Sequence, residues 1–249
     1  MPANAGAVTP LPLVILLHGY GVTAESDDLV LPFSREVGAR GFLYAQPNGT
    51  LDRSSKRFWN ATDACCNYDH LAVDDVAFLR ALIADVNRAH PVDPARVFLI
   101  GHSNGGFMAL RMACEAGDLI AGVVSLAGAT WLDGARCPSG RPVSVLQVHG
   151  TADAVIGYGG GATRLAPYPS ARVTTEAFAA RNGCSGPRVQ LGTSDFLGDA
   201  TAETVRDAAT GCLPGGRAEL WSVAGGGHIP IFHAAWSKAV LDWLLVPSP

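Results

Sequence analysis

One stretch limits what this chain can fold into more than any other. Gly101-His102-Ser103-Asn104-Gly105-Gly106 follows directly on the apolar run Val97-Phe98-Leu99-Ile100 and leads into Phe107-Met108-Ala109-Leu110-Arg111-Met112-Ala113. The run reads as a buried strand and the segment after the turn as a helix. The Gly-x-Ser-x-Gly pattern therefore lies in the strand–turn–helix context that a nucleophile elbow requires. A turn that sharp holds Ser103 in a strained backbone conformation, with its hydroxyl pointing out of the sheet edge. Gly101 and Gly105 lack a Cβ and let strand and helix approach closely on either side. A glycine-rich turn with an incidental serine has the same five letters, so the pattern counts only if chemical partners occur elsewhere.

A serine hydroxyl is a poor nucleophile until a base takes its proton, and the base needs a third group to fix its tautomer. Behind an elbow those partners lie at the ends of later strands, the acid before the histidine. The run 143–148 ends in His149-Gly150-Thr151-Ala152-Asp153, and the run 219–223 ends in Ala224-Gly225-Gly226-Gly227-His228. Asp153 is the candidate acid and His228 the candidate base. His149, directly before a glycine, reads as structural, and His233 falls inside an expected last helix. His102 is expected to point away from Ser103 across the turn. Acyl transfer also needs donors aimed at an oxyanion. The backbone N–H of Asn104 is one candidate. The other is the backbone of Tyr20, in the loop His18-Gly19-Tyr20-Gly21 after the apolar run 13–17. The Tyr20 ring is expected to wall the acyl pocket as well, and His18 to stabilise its loop.

Along the chain, apolar runs at 13–17, 42–45, 97–100, 122–126, 143–148 and 219–223 alternate with helical patterns at 25–40, 74–88, 107–113, 171–180 and 231–245. Pro32 breaks the first of these helices. The alternation predicts an α/β fold, a mostly parallel sheet with helices on both faces. Without repeats or a linker, residues 1–249 read as a single domain. Residues 183–216 interrupt the alternation and read as an inserted hairpin stapled by Cys184 and Cys212. Residues 50–69 carry no clean period, and loops of that length are usually functional or tied down.

Hydrophobic residues make up 48% of the 249 and charged residues 16%, with a net charge of −4, which fits a globular chain. The acidic balance and the absence of a basic cluster argue against nucleic acid and anionic membranes as partners, and no apolar run approaches a bilayer's thickness. Six cysteines with no metal-ligand spacing suit an oxidised compartment, against the alternative of buried thiols in a cytoplasmic protein. The N-terminus has no basic n-region or long apolar h-region, so the expectation is a secreted or periplasmic protein whose signal is missing from this chain. Among Cys65, Cys66, Cys114 and Cys137 the pairing stays open. A Cys65–Cys66 bond would strain the peptide between them, which points to Cys114 with Cys137 and a separate role for the vicinal pair.

These residues resemble the α/β-hydrolase superfamily over nearly the whole chain. Within it, Phe58-Trp59-Asn60, Ala64-Cys65-Cys66, the segment 73–79, Gly101 to Gly106, His149 to Asp153, Asn182-Gly183-Cys184 and Gly225 to His228 are similar to secreted polyhydroxybutyrate depolymerases and feruloyl esterases. The resemblance implies that Ser103, Asp153 and His228 form the triad of a serine esterase needing no metal or cofactor. The substrates it implies are feruloyl-type aryl esters or short hydroxyalkanoate and polyester substrates, small or polymeric, with no obligate protein partner. Members often follow the histidine with Thr-Trp-Pro, where this chain has Ile229-Pro230-Ile231-Phe232. Trp59, Ile229 and Phe232 are the candidate substrate-binding residues. The chain starts at the first His-Gly strand, so two leading strands of larger relatives are expected to be absent. The alternatives are a catalytically silent member that binds a ligand or partner, and an amidase or peptidase with the same triad.

Overall fold

The apolar runs of the sequence become the strands of one sheet in a computed structural model that describes residues 9–246. Residues 1–8, on which the reading of the N-terminus rests, lie outside the described residues. In chain order, β1 (Leu11–Leu17) leads to the short helices α1 (Ala24–Val30) and α2 (Val37–Arg40), then to β2 (Leu43–Ala45). The hairpin β3 (Thr50–Leu51) and β4 (Arg57–Phe58) precedes α3 (Asp75–Ala89), β5 (Val92–His102), α4 (Asn104–Glu115), β6 (Gly122–Leu126) and β7 (Ser144–Gly150). A second small hairpin, β8 (Gly161–Ala162) and β9 (Pro167–Tyr168), comes before α5 (Ala171–Arg181), β10 (Arg188–Ser194), β11 (Thr204–Ala209), β12 (Ala218–Val223) and α6 (Ala234–Leu245).

The sheet runs in the order β10-β11-β12-β7-β6-β5-β1-β2. Every pairing from β12 to β2 is parallel, and the two pairings at the β10 edge are antiparallel. Side chains alternate between the faces of a strand. Leu13, Ile15 and Leu17 of β1 thus join Val97 and Leu99 in one core under α3 and α4, while Val14 and Leu16 join Phe98 and Ile100 in the other. Trp236, Val240 and Leu241 of α6 close that second face. Burial on both faces is why these strands read as continuous apolar runs rather than as alternating ones.

Three expectations need correction. Residues 183–216 form the expected hairpin, β10 and β11, but it extends the main sheet at its edge instead of standing apart as an insertion, with β10 largely exposed and β11 half-buried. The last helix starts at Ala234 rather than Ile231, because Pro230 precedes it and His233 is its N-cap, its Nδ1 accepting the Ala235 amide. Cys65 and Cys66 are bonded to each other across a cis peptide, with Cys114–Cys137 and Cys184–Cys212 as the other two disulfides. Cys184 and Cys212 are 28 residues apart, and closing a loop of that length contributes about 3–4 kcal/mol in the chain-entropy model.

The elbow depends on its glycines. A Cβ on Gly105 would land on the Leu17 carbonyl, and one on Gly101 on the Gly105 carbonyl, both rigid backbone. Gly38, in exposed α2, has open space around it. Gly105→Ala should therefore lower the unfolding free energy by about 3 kcal/mol or more, whereas Gly38→Ala should be neutral or stabilising by about 0.4–1 kcal/mol. Urea titrations of the two variants check this; similar stabilities would show that the elbow is looser than described.

Candidate active site

Four loops at the carboxyl ends of β1, β5, β7 and β12 bring together residues far apart in the sequence. Ser103 sits between β5 and α4 with φ 52° and ψ −118°, a conformation that costs a non-glycine residue of order 1–3 kcal/mol. Its amide is held by the Leu126 carbonyl at 2.8 Å, and its own carbonyl accepts the Phe107 amide to open α4. Strand pairing on both sides of β5 leaves the turn no room to relax.

Asp153 and His228 meet across neighbouring loops. The His228 Nδ1–H donates to Asp153 Oδ2 at 2.8 Å, which leaves Nε2 free to act as a base. The loops are laced together: the Ala152 amide donates to the Gly226 carbonyl, and the Gly225 amide to Thr151 Oγ1. Asp153 Oδ1 accepts the Val155 and Ile156 amides at 2.8 and 2.9 Å. His149 Nε2 faces Oδ2 at 3.3 Å and donates to the Ile156 carbonyl at 2.8 Å, while its Nδ1 accepts from Gln147 Nε2. Burial pushes the Asp153 carboxyl up, but the hydrogen bonds from His149, His228 and the two amides outweigh it and hold the group well below the usual carboxylate range. Burial lowers the pKa of His228 from its ordinary value, the Asp153 bond opposes that, and the nearby His102 ring lowers it further. The result is a charged acid beside a neutral imidazole at neutral pH.

The Tyr20 and Asn104 amides find no acceptor among the described residues. Asn104 opens α4, where the first amides of a helix lack intrahelical partners. Its side chain acts separately from its amide, with Oδ1 accepting the Trp59 amide at 2.7 Å and Nδ2 donating to the Trp59 carbonyl at 2.9 Å. Trp59 in turn donates from Nε1 to the His18 carbonyl at 3.0 Å. The His18 ring accepts the Gly49 amide and donates to the Gly19 carbonyl, so the loop after β1 is pinned from two sides.

A cavity of about 240 Å³ opens beside these groups, bordered by Tyr20, Tyr68, Cys66, Ser103, His228 and Ile229. Ile229, a candidate substrate-binding residue, borders this cavity. Trp59 does not: it is fully buried, its ring beside His18, and it supports the oxyanion loop instead of touching the cavity. Phe232 stacks on Trp236 with ring centroids 4.1 Å apart and belongs to the core under α6. His102 does not point away; its ring lies 5.1 Å from that of His228 and borders the cavity. Tyr68 and the Cys65–Cys66 pair were missed as wall residues, although both lie in the aperiodic 50–69 segment whose length already marked it.

The fold is that of the α/β-hydrolases. A family model described as phospholipase/carboxylesterase matches residues 74–173. The chain is 31% identical over 228 residues to the putative esterase NocK of Nocardia uniformis subsp. tsuyamanensis, covering 87% of this chain and 64% of that one. It is 29% identical over 178 residues to feruloyl esterase B of Piromyces equi, covering 68% of this chain and 31% of the relative. The chain therefore spans about two thirds or less of these relatives. The acetyl xylan esterase of Aspergillus awamori superposes with a TM-score of 0.69 at 16% identity, over 98% of this chain and 91% of that one, which speaks for the fold alone. The chain has the α/β-hydrolase fold and is similar in sequence to proteins named as esterases.

The electrostatics can be measured without a substrate. Following the His228 ring by NMR, we expect a titration midpoint below the ordinary value of about 6.5. Asp153→Asn removes the partner that raises it, so the midpoint should fall further. A midpoint at or above 6.5 in the wild type, or a rise in the variant, would contradict this account of the pair.

Proposed function

We propose that this chain is a serine carboxylic-ester hydrolase working through an acyl-serine intermediate. The observation that carries the reading is the hydrogen bond that fixes His228 Nδ1 on Asp153 beside a cavity that both His228 and Ser103 border. Ser103 Oγ attacks the ester carbonyl while His228 Nε2 takes its proton. Asp153 keeps the tautomer and balances the imidazolium that forms, and the Tyr20 and Asn104 amides receive the oxyanion. The imidazolium gives its proton to the leaving alkoxide, releasing the alcohol. Water then attacks the acyl-serine with His228 again as base, and collapse returns the proton to Ser103 and frees the acid.

The cavity is small and partly aromatic. Tyr20 and Tyr68 meet edge to face, 5.1 Å between centroids, and Ile156 and Ile229 face the same space. Such walls favour a compact acyl group, a feruloyl-type aryl acid first and a short hydroxyalkanoate second, and the names of the relatives support the same order. Three disulfides support action in an oxidising compartment outside the cytoplasm. No helix among the described residues is long and apolar enough to cross a membrane.

A p-nitrophenyl ester assay of wild type beside Ser103→Ala tests the chemistry. The variant should lose at least about 10⁴-fold in turnover; equal rates in both proteins would sink the reading. A panel of methyl ferulate, hydroxybutyrate oligomers and polyester film ranks the substrates, with methyl ferulate expected first. For the compartment, intact mass should rise by about two per disulfide on reduction. An unreduced protein from its native source with six free thiols would overturn the export reading.

A further inference from the structure

Helix α1 buries the wrong residue for an ordinary surface helix. Leu29 and Val30 are exposed at 77% and 45%, yet Asp27 on the same helix is 5% exposed. A buried carboxylate on a helix that leaves its apolar side chains in water calls for a specific partner. Asp27 has two. Its Oδ2 accepts the Gly19 amide at 3.2 Å, and its Oδ1 faces His102 Nδ1 at 3.4 Å. His102 is 3% exposed, and its Nε2 reaches the backbone carbonyl of His228 at 3.3 Å. A Cβ on Gly19 would approach His102 Nδ1 to 3.1 Å, so loop and ring are already in close contact.

We propose that Asp27 and His102 are a second, buried acid–histidine pair that positions the reaction's two moving parts against each other. Asp27 fixes the amide before Tyr20, the oxyanion donor, and His102 carries the same fixing to the backbone of the base. Nε2 meets a carbonyl and so must be the donor there, which means that Nδ1 joins Asp27 as an ion pair when the ring carries both protons. Both are positioning residues, and their role rests on the serine-esterase reading above.

The test compares kcat and KM on p-nitrophenyl acetate for wild type, Ser103→Ala, Asp27→Ala, Asp27→Leu, Asp27→Asn, His102→Leu and the Asp27→Leu/His102→Leu double variant. Active sites are counted by burst titration and the folded fraction by near-UV circular dichroism. Misplacing the oxyanion loop or the base should lower kcat by about 10²-fold in Asp27→Ala, Asp27→Leu and His102→Leu, with KM within about threefold of wild type. Asp27→Asn should recover to within about fivefold, because its amide can accept from Gly19 and donate to His102 Nδ1. The double variant should be no slower than the slower single one. A carboxylate that merely anchors α1 would change the folded fraction and leave the kcat of folded molecules alone. That result overturns the proposal, as does an Asn variant as slow as Asp27→Ala, or effects that multiply in the double variant. If the leucine variants do not fold, Asp27→Ala against Asp27→Asn decides. Full activity in Ser103→Ala would sink the serine reading itself and is seen independently of every Asp27 comparison.

Discussion

The backbone of Gly105 lies against the Leu17 carbonyl, and the backbone of Gly101 against that of Gly105. This contact between β1, β5 and the start of α4 is the constraint on which the rest of the site depends. It sets how near the loop after β1 comes to Ser103, and so whether amides from two separate elements can face one oxygen. It also explains how a serine at φ 52° persists. The cost of that conformation is of order 1–3 kcal/mol. Release would need β5 to leave a register shared with β1 on one side and β6 on the other, and the Ser103 amide to leave Leu126. Each lost hydrogen bond in a buried ladder costs about as much as the strain itself, so the strained turn is the cheaper state.

The second constraint is charge. An ionised carboxylate buried beside the sheet edge costs several kcal/mol in desolvation. Asp153 offsets this with two backbone amides and two imidazoles, and hydrogen bonds to a charged group are worth about 1.5–3 kcal/mol each. The balance favours the charged form, as the depressed pKa of Asp153 indicates. His149 belongs to this account. It has no route to the cavity, yet it shares Oδ2 with His228 and is locked by Gln147 and the Ile156 carbonyl, so the carboxylate cannot swing away. A structural histidine beside an acid is thus part of how the acid is held.

What was legible in the sequence follows from the same physics. Strand ends are legible because both faces of the sheet are buried, which writes each strand as an apolar run and marks its last residue. Ser103, Asp153 and His228 all stand within a few residues of such an end. Trp59 and Phe232 were misread because an aromatic near the site has the same letter whether it faces the cavity or props its wall. The bidentate clasp from Asn104 joins positions 45 residues apart that no pattern links, and the stack of Phe232 on Trp236 is made from the segment before α6. That the 183–216 hairpin joins the main sheet was illegible, because β10 at its outer edge is largely exposed and needs no apolar run. Asp27 was illegible for the converse reason: a polar letter on a short helix predicts exposure.

Tyr20 joins these strands of argument. Its backbone amide is a proposed oxyanion donor, while its ring meets Tyr68 and its hydroxyl donates to Asp52 Oδ2 at 2.6 Å. Burial together with that hydrogen bond pushes the phenol up to about 12, so it stays a neutral donor throughout the working range. The residue before it, Gly19, is held by Asp27, and the loop as a whole by His18 and Trp59. In the proposed function, one residue therefore couples the part of the site that would stabilise charge, which any ester requires, to the part that would meet the acyl group, which distinguishes one ester from another. Chemistry and selectivity are usually separable in a hydrolase by choosing residues on different loops. Here, on the β1 loop, a change in the shape of the acyl wall at Tyr20 must pass through the backbone that carries the oxyanion donor. Under the proposed function, selectivity can vary apart from that backbone through the other borders of the cavity: Tyr68 and the Cys65–Cys66 pair in the 50–69 segment, Val155 and Ile156 after β7, and Ile229 after His228.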